Sequence, residues 1–436
     1  MAMNYTLHEK PRNWKDALGY TLQFLFAVLT ATVLIATICG TPIAAGLVAA
    51  GIGTLTFLCI TKFRAPIVIS NSGATVSAVV GAIALSGSVA ENYTGVVIGG
   101  AIIATIYTNS ALFIKKYGTG WLQRLLPPVV TGTVIMVIGA NLATFIPTYA
   151  QIGGEYSIIG ALVTIVVGIM VALFSHYGKG LIKSLPFLAA IIVGYLLCAG
   201  LTAVGIPIVD FEAIKWNGLI QIPNFAFLHL DFINFNWATL PTILASFGLV
   251  SLAALTEHIG DMASASAVTG YNLLNDPGLH RTLIGDGVGS LMGTLIGAQP
   301  NTTYSEYTST IAVSKNASTW FTMYTAIGLI LLGFIAPFNN LLTALPDCVF
   351  AGISVFAYGM IALAGLRTLR WVSFEDTKNQ LIFAAMLTTG VSGLGIHYGD
   401  FHLTGIALSM LVGVVLNLIL KKPDDALPDI KFDGSI

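Results

Sequence analysis

Charge is what this sequence has least of. Of its 436 residues, 9% are Asp, Glu, Lys or Arg and 56% are hydrophobic, whereas soluble domains carry roughly 25% charged residues. A chain so poor in charge cannot clothe a water-facing surface, which excludes an ordinary soluble domain. The formal net charge of −1 leaves no basic footprint, which sets nucleic acid aside as a partner. Cysteine is equally sparse. Cys39, Cys59, Cys198 and Cys348 stand far apart in or beside apolar runs, without the Cys-x-x-Cys spacing of a metal or redox pair, and read as helix-packing residues. Proline and glycine are scattered through apolar segments and form no linkers. The first apolar run follows a polar start up to Asp16 and lacks the short core and small-residue cleavage site of a signal peptide, so it is expected to be retained as a span.

What the sequence does have is long apolar runs, each near the ~20 residues that cross ~30 Å of hydrocarbon. Backbone groups in lipid must be paired within the protein, so these runs are expected to be helices. About fourteen spans are read, near 17–39, 42–61, 66–84, 94–114, 126–147, 157–176, 186–205, 239–262, 279–297, 299–315, 318–337, 346–366, 379–396 and 402–420. The basic residues agree with that count. With both termini cytoplasmic, every Lys and Arg except Lys215 falls in a cytoplasmic segment, and adding or removing one mid-chain span would destroy the bias. The stretch from Gly205 to Trp237 suits an extracytoplasmic connection lying along the membrane surface. The tail after Lys422 is expected to be polar and flexible.

An even fourteen divides into two sevens, and an odd-numbered repeat places its second copy upside down relative to the first. The expected fold is therefore an all-α polytopic membrane protein built as a 7+7 inverted repeat, with short strands breaking spans 3 and 10. Span 3 opens Arg-Ala-Pro-Ile-Val-Ile-Ser-Asn-Ser-Gly from Arg64, and span 10 opens Ala-Gln-Pro-Asn-Thr-Thr-Tyr from Ala298. Pro300 removes a backbone donor, and Thr302 and Thr303 favour a strand. A half-helix is expected to begin near Glu306, with its free N–H groups and positive dipole end beside that carboxylate. Donors and an acceptor together suit a polar, uncharged ligand.

Span 8 carries Ala-Leu-Thr-Glu-His-Ile-Gly-Asp, which places Glu257, His258 and Asp261 within or at the edge of an apolar helix. An Asp near a helix centre costs ~2.5–3.5 kcal/mol on the insertion scale, and such residues generally face a cavity or a partner. Glu257 and Asp261 are four apart and share a face, where double ionisation is disfavoured, so the pair is read as a proton carrier. Asp261 has an alternative reading as a hydrated residue at the cytoplasmic helix end. His258 is read as a possible relay, with a structural hydrogen bond to a neighbouring helix preferred, and Asp286 as structural. His397, Asp400 and His402 cluster before span 14 without a shared helix face and read as a solvated turn, with no metal expected.

The motifs Glu257-His258-Ile259-Gly260, Asp276-Pro277-Gly278-Leu279-His280-Arg281 and Pro300-Asn301-Thr302-Thr303-Tyr304 with Glu306 resemble those of the nucleobase–ascorbate transporter family, most closely its bacterial uracil and xanthine permeases. The likeness covers nearly the whole chain. It implies a core domain from residues 1–118 and 238–337 (spans 1–4 and 8–11) and a gate domain from 119–237 and 338–436 (spans 5–7 and 12–14). It implies proton-coupled nucleobase uptake at the inner membrane, usually by a homodimer, driven by the proton gradient with no cofactor. It also implies that Glu257 and Glu306 hold the base.

With the polar breaks, the expected substrate contacts are Glu257, Glu306, Ser305, Tyr307, Asn71, Ser72, Gly73 and Thr303. The proton-coupling candidates are Glu257, Asp261 and His258. After Glu306 the family pattern has Asn, a Gly two residues later and a Thr before the basic residue, where this chain has Tyr307, Ser309 and Ser314. Uracil permeases follow a Gly-Ser-Ser run in span 3 with a base-contacting phenylalanine, where this chain has Ser70-Asn71-Ser72-Gly73. Asp261 replaces a histidine, as in purine-transporting relatives. The base is therefore left open between uracil and a purine, and Gly73 leaves room for the larger ring. The rival readings are a proton-independent facilitator or channel for a small polar solute and, remotely, an intramembrane aspartyl protease. The Gly-x-Gly-Asp signature of that protease is absent at both Asp261 and Asp286.

Overall fold

A computed structural model describes residues 3–86, 91–152, 155–179, 182, 186–211, 218–370, 372–398 and 401–420. Helices dominate it, as the need to pair every backbone group in lipid requires. In chain order the crossing helices are α1 (Trp14–Ile38), α2 (Ile43–Ile60), α3 (Val76–Ser86), α4 (Thr94–Tyr117), α5 (Pro128–Ala143), α6 (Ile158–Tyr177) and α7 (Pro186–Ala203). They continue with α8 (Leu240–Thr269), α9 (Leu279–Ile296), α10 (Ser305–Ser314), α11 (Thr319–Phe334), α12 (Asp347–Leu369), α13 (Thr377–Val391) and α14 (Gly405–Ile419). Among the described residues, 8 helices are by themselves long and apolar enough to cross a membrane. Two crossings are broken as expected, by strand β1 (Ile69–Asn71) before α3 and strand β2 (Asn301–Thr303) before α10.

Local chemistry sets the ends. The Asn13 side chain accepts from the Asp16 N–H at the start of α1, and Ser157 does the same for α6. Pro128 and Pro241 occupy first turns, where a missing N–H costs nothing. Gly270 and Gly297, both left-handed, close α8 and α9. Helix α8 runs past its expected end near 262 to Thr269. That moves Asp261 from a helix end into its interior. Helix α14 begins at Gly405 because the preceding residues form a hairpin, 395–398 with 401–404.

Helices α4 and α2 pack on α9, α11 on α2, α1 on α11 and α8 on α4; a second group joins α12 to α5 and α6, α13 to α5 and α14, and α6 to α7. The α5–α12 crossing is close enough that backbones touch. A Cβ added at Gly365 would lie 2.4 Å from the Met136 nitrogen and 2.5 Å from the Gly132 carbonyl, so small residues there permit the contact. In the long connection after α7, Asp231 donates its N–H to Thr94 at the head of α4. Its carboxylate accepts from the backbone and side chain of Asn234, which hold it below the usual carboxylate range. Residues Glu212 and Lys215 of that connection, and the acidic tail, lie outside the described residues.

Candidate functional site

The two breaks meet. β1 and β2 pair antiparallel with Ile69 opposite Thr303, Ser70 opposite Thr302 and Asn71 opposite Asn301. The ladder is extended by the Ser72 N–H to the Pro300 carbonyl (2.9 Å) and the Tyr304 N–H to the Val68 carbonyl (3.2 Å). Each break therefore satisfies the other's backbone where no water or helix would. Neighbouring hydroxyls and amides complete the pairing. Thr54 both donates to and accepts from Ile69, Thr32 bonds Ser70 at 2.7 Å, and the Tyr304 hydroxyl donates to the Asn71 carbonyl at 2.8 Å. Asn301 donates its amide to the Ala49 and Gly289 carbonyls, both at 3.1 Å. It fits there because a Cβ at Gly53 would come within 2.2 Å of that amide.

A cavity of about 360 Å³ lies against this crossed pair, within the ~300–1,000 Å³ range of small-molecule sites. One wall is polar: Asn71 and Gly73 from the first break, Thr302, Thr303, Ser305 and Glu306 from the second, and Glu257 from α8. The facing wall is apolar, with Ile135 and Ile138 of α5 and Ile353, Ala357 and Ile361 of α12. Phe26, Thr30 and Ala31 of α1 close a side. Tyr304, at the N-cap of α10, supplies no side-chain cap, and Glu306 occupies the first turn. The dipole end thus favours an acceptor there, and its N–H groups favour a ligand carbonyl.

Six of the eight expected substrate contacts line this cavity. The other two, Ser72 and Tyr307, do not. Tyr307 is fully buried; its hydroxyl bonds Thr322 of α11 at 2.9 Å and its ring packs on Phe24 of α1. The reason is helical periodicity. Ser305, Glu306, Ser309 and Thr310 share the cavity face, and Tyr307 falls on the opposite one. Ser72, just past the end of β1, is buried away from the cavity lining.

The proton-coupling candidates also separate. Of the three, Glu257 alone lines the cavity. Asp261 is buried, so its hydrated reading is set aside; its carboxylate accepts hydroxyl bonds from Thr303 (2.7 Å) and Ser305, bracing β2 and the head of α10 against α8. His258 turns toward α9. Its Nδ1 lies 2.7 Å from Asp286 Oδ2 and its Nε2 3.0 Å from Thr282 Oγ1, all fully buried. The structural hydrogen bond preferred for His258 is present, and Asp286 is its partner.

Sequence reasoning passed over the α1 side of the cavity and Tyr358. Thr30 and Thr32, hydroxyls in an apolar run, were the available signal there. The apolar wall carried none. His397 and His402 face each other across the exposed hairpin with Nδ1 atoms 2.7 Å apart, while Asp400 lies outside the described residues. Among the described residues no group of three or more His, Cys, Asp or Glu is placed to hold a metal. Cys198 of α7 and Cys348 of α12, far apart in sequence, are both free and buried with their sulfurs 4.0 Å apart, as helix-packing residues can be.

Residues 15–397 match the sequence profile described as the Permease family. The uracil permease of Bacillus caldolyticus is 34% identical over 406 residues, covering 92% of this chain and 91% of that protein. The uracil permease of Bacillus subtilis strain 168 is 32% identical over 437 residues, covering 96% and 95%. Among solved structures, the transmembrane domain of a cyanobacterial bicarbonate transporter, BicA, superposes with a TM-score of 0.63, covering 95% of this chain and all of that one. At 18% identity that likeness is one of fold.

Proposed function

Because the chain belongs to the permease family of nucleobase–ascorbate transporters, we propose that it imports a nucleobase, uracil or a purine such as xanthine, in symport with a proton. The supporting observation is that Glu257, Glu306 and the uncapped start of α10 face one cavity. The edge of such a base alternates N–H donors and carbonyls. Carboxylates accept from the first and helix-start N–H groups donate to the second, so few polar groups on the site are left unpaired. Asn71, Thr303 and Ser305 complete the polar wall, and Gly73 admits a second ring.

The two groups of helices act as a core (residues 1–118 and 238–337) and a gate (119–237 and 338–436), related as an inverted repeat. In support, neighbours map onto neighbours when span numbers shift by seven. α4 packs on α9 as α11 packs on α2, α8 on α4 as α1 on α11, and α6 on α7 as α13 on α14. The polar wall belongs to the core and the apolar wall to the gate, so rocking one past the other would expose the base to alternate sides. With both termini cytoplasmic in the inner membrane, the end of the cavity lined by Arg367, Thr310 and Pro186 faces the cytoplasm. Glu257 carries the proton together with Asp261 one turn along the helix, and the buried His258–Asp286 pair sits behind them. The working unit is a homodimer.

A thermal-shift screen of the purified protein with uracil, xanthine, uric acid, guanine, hypoxanthine and ascorbate tests the reading. Stabilisation by uracil or xanthine, lost in Glu306→Gln, is expected. A screen in which no base stabilises the protein contradicts it.

A further inference from the structure

The half-helix α10 has its far end tied down by the opposite end of the chain. Residues 4–9 run as a strap, with Tyr5 and Leu7 buried and Thr6 and His8 exposed. Tyr5 bridges Asn316 in parallel register, and the chain then turns at Leu7–His8, where the Glu9 N–H donates to the Thr6 carbonyl at 3.1 Å. The Asn4 N–H donates to the Lys315 carbonyl (2.7 Å) and the Asn4 side-chain amide to the Ser314 carbonyl (3.1 Å). The Ala317 N–H donates to Tyr5 (3.0 Å), the Thr319 N–H to Leu7 (2.9 Å) and the Ser318 hydroxyl to Glu9 (2.6 Å). The strap thus answers carbonyls that the end of α10 leaves open, in place of water. It is itself moored to α1 and α11. The Tyr5 ring lies edge-on to Tyr20 and Phe321, at 5.6 and 5.0 Å between centroids, and its hydroxyl donates to Asp16. Arg12 lies over the same ring at 4.8 Å and reaches the Asn4 carbonyl at 2.8 Å.

A ten-residue helix spans only ~15 Å, so a shift at Lys315 moves Ser305 and Glu306 with it. We propose that Asn4 and Tyr5 are positioning residues for the base-binding end of α10: the strap joins α1, α10 and α11 into one body and holds Glu306 in register with Glu257. This rests on the assignment of Glu306 to the base. The residues that the strap bonds or stacks on outside itself, Arg12, Asp16, Tyr20, Phe321 and 314–319, do not line the cavity. The strap's effect is on geometry alone.

Hydrogen exchange of the full-length protein in nanodiscs reads the strap without any ligand. Tyr5→Ala is expected to speed exchange of the α10 amides about tenfold while α2, α4 and α9 keep their protection. Tyr5→Phe, which keeps the ring and loses the Asp16 bond, gives a smaller change at the same amides and serves if Tyr5→Ala does not fold. His8→Ala, exposed on the same strap, leaves exchange unaltered. In the same proteins, affinity for the base that stabilises the wild type should fall about tenfold in Tyr5→Ala and stay constant in His8→Ala. Unchanged α10 exchange in the Tyr5 variants, or an equal rise in every helix, overturns the strap. A wild type that binds no base overturns the transport reading and leaves the exchange result to stand alone.

Discussion

Glu306 and Tyr307 are adjacent in sequence and opposite in role. Glu306 faces the cavity from an uncapped helix start, so Glu306→Gln should cost about 1.5–3 kcal/mol of base affinity through a lost charge-assisted hydrogen bond, read by equilibrium binding. Tyr307→Phe should lower stability by about 1 kcal/mol, through its lost bond to Thr322, and leave affinity alone. Asp261→Asn keeps the shape of the brace under Thr303 and Ser305 but removes its charge. Binding should remain measurable, while the dependence of uptake on an imposed proton gradient should flatten. An unaltered gradient dependence would make Asp261 a brace and nothing more. The acids were legible in the sequence because a carboxylate in an apolar span is expensive and must be there for a reason. Tyr307 was not, since the side it faces turns on where the helix starts, to within one residue. The apolar wall of the cavity was invisible for the opposite reason, because an Ile that lines a cavity costs no more than one that meets lipid.

At the scale of elements, the paired breaks were readable from Pro, Asn and Thr ahead of each half-helix, since such residues suit extended backbone. Their pairing with each other was not, as sequence gives no register between segments some 230 residues apart. The length of α8 was also missed: its last turns, Met262–Thr269, are less apolar than the rest and read as loop, yet they run to the left-handed Gly270. Close crossings make their own prediction. Gly365→Val would drive side-chain atoms into the backbone of α5 at Met136 and Gly132, and overpacking of this kind costs about 1–3 kcal/mol. The thermal midpoint should fall; an unchanged midpoint would mean that the α5–α12 contact yields without strain.

For the molecule as a whole, charge, apolar runs and motif likeness were enough to place fourteen crossings, because lipid leaves a chain few options. How the two groups of helices pack around the cavity needed coordinates. In a background without Cys59, Glu155→Cys should be labelled from outside intact cells by an impermeant reagent and Lys179→Cys should not, as the distribution of basic residues requires. On the proposed reading, a proton gradient drives a nucleobase through the cavity between Glu257, Glu306 and the apolar wall of α5 and α12. That reading is tested most directly by uptake of radiolabelled uracil or xanthine into proteoliposomes with and without an inward proton gradient. Accumulation beyond equilibrium is expected only when the gradient is imposed, and is expected to be lost in both Glu257→Gln and Glu306→Gln. Uptake that stops at equilibrium whatever the gradient would contradict that reading and mark the protein as a facilitator.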